Sequence, residues 1–170
     1  MKLVIFQGNP GRQYQKTRHN MGFIMADYLA IKHSLKWRSS AKFEAEVAEW
    51  DGVLLVKPQT FYNETGRAVR KLVDFYKVVP RDELVVVCDD LNLPFGALRT
   101  RENGSNGGNN GLKSISATVG EEYKRLRIGT DNELRTTLGD TDFVLSKFSK
   151  EEWEQLPDTF TKAEQVIQAS

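Results

Sequence analysis

The sequence has few of the residues on which several classes of small protein depend. It contains one cysteine, Cys88, which excludes an internal disulfide and a metal cluster built on several thiolates. Its formal net charge is only +1, so binding to a nucleic acid would have to rest on a local basic patch. No apolar run approaches the ~18 residues of a membrane span, and the first residues lack the layout of a signal peptide. We therefore expect a soluble cytoplasmic protein with no membrane partner.

What the sequence does have is an alternation of strand-like and helix-like segments over 170 residues, a length that suits one domain. Strands are predicted at 2–7, 43–48, 53–56, 84–88 and 97–101, and short strands or loops at 125–129 and 143–145. Asp51-Gly52 is a hairpin signal that predicts antiparallel pairing of the second and third strands. Helices are predicted at 20–36, 69–76 and 110–119, and at both ends of 149–170, with a break at Pro157. This pattern predicts a single α/β domain, residues 1–170, with a mixed, largely parallel sheet flanked by helices.

One of the two histidines is a candidate for catalysis. His19 lies between a Gly/Pro turn and the start of a predicted helix, away from the apolar stripe of that helix. His33 falls in the last turn of the same helix, where a cation suits the helix dipole, and we interpret it as structural. His19 is a candidate general base, and a surface or capping histidine is the alternative. A lone loop histidine does not favour a zinc site, and no other metal or cofactor is expected.

Polar residues are predicted near the carboxyl ends of strands, where open α/β sheets bind their ligands. Asp89 and Asp90 follow the most apolar strand, and a carboxylate aimed at an imidazole would fix its tautomer and make it a better base. Asn9, Asn63 and Asn110 are ordinary turn and cap residues when taken singly. Together they would supply donors and acceptors for an ester or amide carbonyl and its oxyanion.

Several familiar motifs are absent, and the functions that depend on them are therefore not expected. The segment GSNGGNNGLKS is not a phosphate loop, because Leu112 stands where that motif needs lysine, and GNPG is not a dinucleotide-binding fingerprint. No motif serine or cysteine nucleophile is present, and Cys88 ends a strand predicted to be buried. An activated water is therefore the expected nucleophile.

Basic residues cluster around the Gly/Asn-rich loop of residues 103–111. They form either a solvated charged face or a phosphate-binding patch, and the sequence leaves both interpretations open. The residues of this cluster are Arg99, Arg101, Lys113, Arg125 and Arg127.

Five segments in the same order and spacing resemble the bacterial-type peptidyl-tRNA hydrolase family over nearly the whole chain. These are GNPGRQYQKTRHNMGF, KPQTFYNETGRAV, DDLNLPFG, GGNNGLKSI and RLRIG. The resemblance implies a monomeric α/β protein of the phosphorylase/hydrolase-like fold that cleaves the ester between a peptide and the 3′ ribose of tRNA. It also implies that no metal or cofactor takes part.

The resemblance assigns roles to individual residues. His19 is implied to be the catalytic base, Asp89 its partner, and Asn110 the residue that places water or stabilises the oxyanion. Asn9 and Asn63 are implied to line the substrate site. The remaining residues are expected to contact substrate or tRNA: Tyr14, Tyr62, Asn109, Arg99, Arg101 and Arg127.

The chain departs from the family pattern at residues close to these positions. Phe6-Gln7 stands where small apolar residues are usual, Tyr62 replaces a usual Met, and Asn109 replaces a usual His. A non-catalytic RNA-binding protein is the alternative function, because plant organellar splicing factors resemble this family without the hydrolase role. A nucleotide-binding oxidoreductase would need a fingerprint that is absent.

Overall fold

Seven strands form one mixed sheet in the computed structural model, which describes residues 1–170. They are β1 (Lys2–Phe6), β2 (Arg38–Ser40), β3 (Ala45–Trp50), β4 (Val53–Pro58), β5 (Leu84–Pro94), β6 (Leu98–Arg101) and β7 (Lys124–Asp131). Their order is β2-β3-β4-β1-β5-β7-β6. The four central strands run parallel, and β2, β3 and β6 pair antiparallel at the edges. The predicted mixed α/β sheet is confirmed, with its parallel part at the centre.

Helices cover both faces of this sheet. They are α1 (Met21–Lys32), α2 (Thr65–Tyr76), α3 (Pro80–Glu83), α4 (Asn110–Val119), α5 (Leu134–Leu138), α6 (Asp140–Val144) and α7 (Lys150–Gln168). Successive residues of a strand point to opposite faces, so Leu3 and Ile5 pack with α2 and α4, whereas Val4 and Phe6 pack with α1 and α7. None of the helices combines the length and the hydrophobicity that crossing a bilayer requires.

The strand predicted to end at Cys88 is longer than expected. It continues as β5 to Pro94, so Asp89 and Asp90 lie within a strand instead of after one. The reason is that β7 pairs with both aspartates, whereas the other neighbour, β1, ends at Phe6. The two carboxylates therefore still lie beyond the last residue of β1, at the edge of the sheet where the parallel strand β1 ends.

The C-terminal segment also differs from the prediction. Helix α7 is continuous, so the break predicted at Pro157 is wrong. Proline removes one helical hydrogen bond, but an apolar stripe on both sides of it is buried against the core and holds the two halves in line. The stripe consists of Leu156, Phe160, Ala163 and Ile167.

Other segments also differ from the prediction: α2 begins at Thr65, four residues before the predicted 69, and β3 runs from Ala45 to Trp50 instead of over 43–48. Most of the segment 143–145 belongs to the end of α6 and forms neither a strand nor a loop; Phe143 is fully buried there. Helix α1 ends at Lys32 instead of near residue 36, because Ser34 takes a left-handed conformation with φ 54°. The short edge strand β2 was not predicted at all. The hairpin of β3 and β4 and the bounds of α4 are confirmed.

Candidate active site

A histidine and a carboxylate meet at the carboxyl end of the central strands. His19 Nδ1 lies 2.8 Å from Asp89 Oδ2, and Asp89 is only 4% exposed. Because a carboxylate can only accept, the neutral imidazole carries its proton on Nδ1 and keeps a lone pair on Nε2. A carboxylate orients a histidine as a general base in this way. The structure brings together the two residues that the sequence analysis paired.

The turn that carries the histidine is anchored on both sides. It is a 3₁₀ turn, Arg18–Asn20, between β1 and α1. The buried Arg18 guanidinium donates two hydrogen bonds of 2.9 Å to the Glu152 carboxylate at the start of α7. The side chain of Asn20 donates to the backbone carbonyl oxygen of Asn9 at 3.0 Å and accepts from the backbone N–H of Asn9 at 2.8 Å. The imidazole is therefore held between two fixed neighbours.

Sequence patterns did not reveal these anchors. Glu152 lies 134 residues beyond Arg18, and no local motif joins the two. Burial acts to raise the pKa of Glu152, but hydrogen bonds from Arg18 and from the Ser149 amide outweigh it, and the pKa is lowered. The carboxylate is therefore ionised when it binds the guanidinium, as a bidentate ion pair requires.

A glycine lets the helix approach the strand closely enough to place the turn. A Cβ atom at Gly22, in the first turn of α1, would lie 2.5 Å from the carbonyl oxygen of Gln7, the residue directly after β1. Only glycine fits at this distance. The sequence signal for this contact is the glycine in RHNMGF, which sequence analysis did not use.

A cavity of about 300 Å³ lies beside the histidine. Five of the predicted residues line it: His19, Asp89, Asn109, Asn110 and Arg127. Asn110 is the first residue of α4, is exposed, and makes no side-chain hydrogen bond within the chain. Its amide is therefore free to bind a carbonyl or a water molecule in this cavity.

The other two asparagines are placed differently. Asn9 Oδ1 accepts a hydrogen bond of 2.7 Å from the Tyr62 amide, so the Gly/Pro turn is tied to the segment before α2. Asn9 also borders a second cavity, of about 540 Å³, between α1 and α7. Asn63 is exposed, makes no side-chain hydrogen bond, and does not line the cavity beside His19. Tyr14 is half-buried and likewise lies outside that cavity.

Tyr62 is buried beneath the histidine, a position that does not favour the predicted contact with substrate. It is 3% exposed, and its ring stacks on His19 with centroids 3.6 Å apart and planes 14° from parallel. Its hydroxyl donates to Asp89 Oδ1 at 2.6 Å and accepts from Asn109 Nδ2 at 2.7 Å. Burial first, and then the charge of Asp89, raise the pKa of Tyr62 well above its ordinary value.

The predicted basic cluster divides into exposed and buried members. Arg99 and Arg101 are exposed on the edge strand β6. Arg127 is 9% exposed, lies 3.7 Å from Asp90 and donates to the Ser105 carbonyl oxygen, an arrangement that does not favour the predicted phosphate contact. It and the buried Arg125, which binds three backbone carbonyl oxygens, support the Gly/Asn-rich loop from below.

Other groups show no arrangement for chemistry. Cys88 is fully buried, and burial raises the pKa of its thiol, so it remains protonated as a structural residue would. No three side chains of His, Cys, Asp or Glu are grouped so that they could hold a metal ion.

The fold and the site together define an α/β protein with a histidine–carboxylate pair at the carboxyl end of a mixed sheet. The profile of the peptidyl-tRNA hydrolase family matches residues 3–170. A relative from Lactiplantibacillus plantarum named peptidyl-tRNA hydrolase is 42% identical, with 99% of this chain and 92% of that protein covered. One from Desulfitobacterium hafniense, of the same name, is 44% identical, with 98% and 91% covered.

A solved structure agrees with these relatives. The crystal structure of peptidyl-tRNA hydrolase from Acinetobacter baumannii superposes with a TM-score of 0.85 at 30% identity, with 99% of this chain and 92% of that chain covered. The chain belongs to the peptidyl-tRNA hydrolase family, as its motifs predicted. The class of enzyme is accordingly a hydrolase of the ester bond in peptidyl-tRNA, and the non-catalytic alternative has no support among these relatives.

Proposed function

We propose that His19 is the general base with which this chain hydrolyses the ester of peptidyl-tRNA. The observation that carries the proposal is the hydrogen bond of 2.8 Å between His19 Nδ1 and Asp89. Both residues line the cavity of about 300 Å³. With Nδ1 engaged, Nε2 is the atom left to accept a proton from water. General-base assistance of this kind contributes about 10²–10⁴-fold to a rate.

The steps follow from the groups present. Nε2 of His19 takes a proton from a water molecule, whose oxygen attacks the ester carbonyl carbon. The carbonyl oxygen becomes an oxyanion, to which the Asn110 amide can donate a hydrogen bond from the rim of the same cavity. The intermediate then expels the 3′ oxygen of the ribose, which receives the proton from the imidazolium. The products are a free peptide acid and a tRNA with a 3′ hydroxyl.

Substrate selection is assigned to residues that surround the reacting groups. Asn63 would donate a hydrogen bond to the carbonyl oxygen of the first peptide amide. An aminoacyl end has a free ammonium at this place and would lack that acceptor. Tyr14 would lie near the 3′ end of the tRNA, and Asn9 would border the peptide. These three assignments follow the family motifs. Exposure of Asn63 and the partial exposure of Tyr14 and Asn9 are compatible with them.

The tRNA backbone is proposed to bind the exposed part of the basic cluster. Arg99→Ala and Arg101→Ala should each raise KM and reduce the slope of log K against log salt by about one, because each would remove one phosphate contact. The matched control is Arg127→Ala, because Arg127 lies on β7 directly opposite Arg99. Its slope should stay near that of the wild type, since Asp90 already neutralises this guanidinium. Unchanged slopes for both exposed arginines would refute the contact.

The activity is tested by release of N-acetyl-amino acid from N-acetyl-aminoacyl-tRNA by the purified protein, with and without EDTA. We expect turnover in both conditions, because the proposed steps use side chains alone. Binding of tRNA without release would favour the RNA-binding alternative, and loss of release with EDTA would point to a metal. We also propose that the protein acts as a cytoplasmic monomer, which light scattering on the purified chain would contradict by giving twice the mass.

A further inference from the structure

Four side chains from separate segments form one continuous line of hydrogen bonds. Asn109 Nδ2 lies 2.7 Å from the Tyr62 hydroxyl, which lies 2.6 Å from Asp89 Oδ1, and Asp89 Oδ2 lies 2.8 Å from His19 Nδ1. Asn109 and Tyr62 are two of the positions at which the chain departs from the family pattern, and they contact each other. The departures therefore meet at the carboxylate of the proposed catalytic pair.

The direction of each bond in this line is determined by the donors. An amide nitrogen can only donate, so the Tyr62 oxygen accepts from Asn109, and its own proton is directed to Asp89. The raised pKa of Tyr62 means that the phenol keeps this proton across the range in which enzymes work. Asp89 accordingly accepts one hydrogen bond from a neutral phenol and one from the imidazole.

We propose that Tyr62 is a positioning residue that keeps His19 in its unprotonated, basic form at lower pH than Asp89 alone would allow. A carboxylate beside an imidazole stabilises the imidazolium. A hydrogen bond donated to the other oxygen disperses the charge of that carboxylate and so weakens this stabilisation. Asn109 supports the effect, because a phenol oxygen that accepts a hydrogen bond becomes a stronger donor in turn. The inference rests on the proposed role of His19 as general base.

The other charged groups around the histidine are already paired. Those facing the same cavity are Asp90 with Arg127, and Asp140 with Arg135. Asp89 differs from both, because its second oxygen binds a neutral group and no cation. Its charge is thus the one that acts most directly on the imidazole, and the phenol is the group that moderates it.

One substitution separates the effect of the Tyr62 hydroxyl on His19 from the packing of the Tyr62 ring. Tyr62→Phe keeps the ring that stacks on His19 and removes only the hydroxyl. The imidazole can be followed directly by NMR, because the chain has only two histidines and His33 is an internal reference. We expect the midpoint of the His19 titration to rise by about one pH unit in Tyr62→Phe, while His33 stays unchanged.

The acid limb of kcat/KM should move in the same direction as the NMR midpoint. KM on the plateau at higher pH should stay at the wild-type value, because the buried ring does not reach the substrate. Tyr123→Phe is the matched control: that tyrosine is also buried, its hydroxyl is bonded to Ser116, and it lies outside the cavity. It should leave the His19 midpoint unmoved.

A second variant guards against a failure of Tyr62→Phe to fold. Asn109 Oδ1 accepts from the Leu112 amide at 3.0 Å as the N-cap of α4. Serine is also a good N-cap but is too short to reach the phenol, so Asn109→Ser keeps the helix and removes the donor. The His19 midpoint should rise in this variant too, by less than in Tyr62→Phe.

The outcomes separate this inference from the proposed function. A midpoint that stays or falls in Tyr62→Phe would overturn the positioning role, and a raised KM with an unmoved acid limb would make Tyr62 a substrate contact. Turnover that survives His19→Ala would refute the general base instead. The NMR midpoint is read from the imidazole itself, so it tests the link between Tyr62 and His19 whether or not the base assignment stands.

Discussion

The two histidines stand at opposite ends of the same helix, and their surroundings are alike at first sight. Each binds a carboxylate and contacts an aromatic ring: His19 has Asp89 at 2.8 Å and Tyr62 at 3.6 Å, centroid to centroid. His33 has Glu164 at 2.5 Å and the Trp50 ring at 4.8 Å. Their side chains are also similarly covered, with 19% and 27% exposed. A histidine–carboxylate pair alone therefore does not distinguish a catalytic site from a structural one.

The two histidine–carboxylate pairs differ in the group that binds the second carboxylate oxygen and in where each pair lies in the fold. Asp89 binds a neutral phenol, whereas Glu164 binds the Lys32 ammonium at 2.6 Å. His19 precedes the N-terminus of α1, where the helix dipole disfavours a cation, and His33 caps the C-terminus, where the dipole favours one. Only the first pair borders the cavity at the carboxyl end of the sheet. The His19–Asp89 pair suits a general base, whereas the His33–Glu164 pair suits a structural contact that joins α1 to α7.

The largest expected effect comes from removing each histidine in turn. His19→Ala should lower kcat by about 10²–10⁴-fold, because no other group replaces its lone pair. His33→Ala should keep kcat and lower the free energy of unfolding by about 1–2 kcal/mol through the lost hydrogen bond to Glu164. The measurements are single-turnover hydrolysis of N-acetyl-aminoacyl-tRNA and urea unfolding. Equal losses of kcat in both variants would show that the two histidines do not differ in role.

Replacing the carboxylate of each pair should give the same difference in kcat. Asp89→Asn keeps the size of the side chain but loses the charge that orients the imidazole, and we expect kcat to fall by about 10²–10⁴-fold. Glu164→Gln, the corresponding change at the other pair, should leave kcat at the wild-type value. Circular dichroism of both variants checks that the fold is kept. A wild-type rate for Asp89→Asn would mean that the tautomer of His19 is set by another group.

The smallest expected effect is on acid stability at the structural pair. Burial acts to raise the pKa of Glu164, but hydrogen bonds from Lys32 and His33 outweigh it, and the pKa is lowered. A carboxyl group with a lowered pKa in the folded state stabilises the protein above its unfolded pKa of about 4.3. This contribution is lost as the pH falls through the lowered value.

Glu164→Gln should therefore be less stable than the wild type at pH 7 by about 1 kcal/mol, and the difference should shrink on acidification below about pH 4. Thermal unfolding at several pH values measures both stabilities. A difference that grows toward low pH would contradict the sign of the shift. The same series on the Asp89→Asn variant compares the two pairs directly.

Local patterns predicted much of the fold because they depend on neighbours in the chain. The Asp51-Gly52 turn and alternating flanks determine the hairpin of β3 and β4. The bounds of α4, predicted at 110–119, likewise agree with the structure. The break expected at Pro157 failed for the opposite reason: contacts of the flanking stripe with the core, which no local pattern contains, hold that helix together.

The sequence by itself determined the α/β class, because that follows from the spacing of apolar residues, and it contained the family motifs, whose resemblance implied the pairing of His19 with Asp89. Only the tertiary structure decided that Tyr62 lies beneath the imidazole with its hydroxyl on Asp89, and that Arg127 is paired with Asp90. Burial and hydrogen-bond partners are properties of segments brought together from distant parts of the chain. The same residue type therefore has surroundings that suit a general base at one end of α1 and surroundings that suit a structural contact at the other.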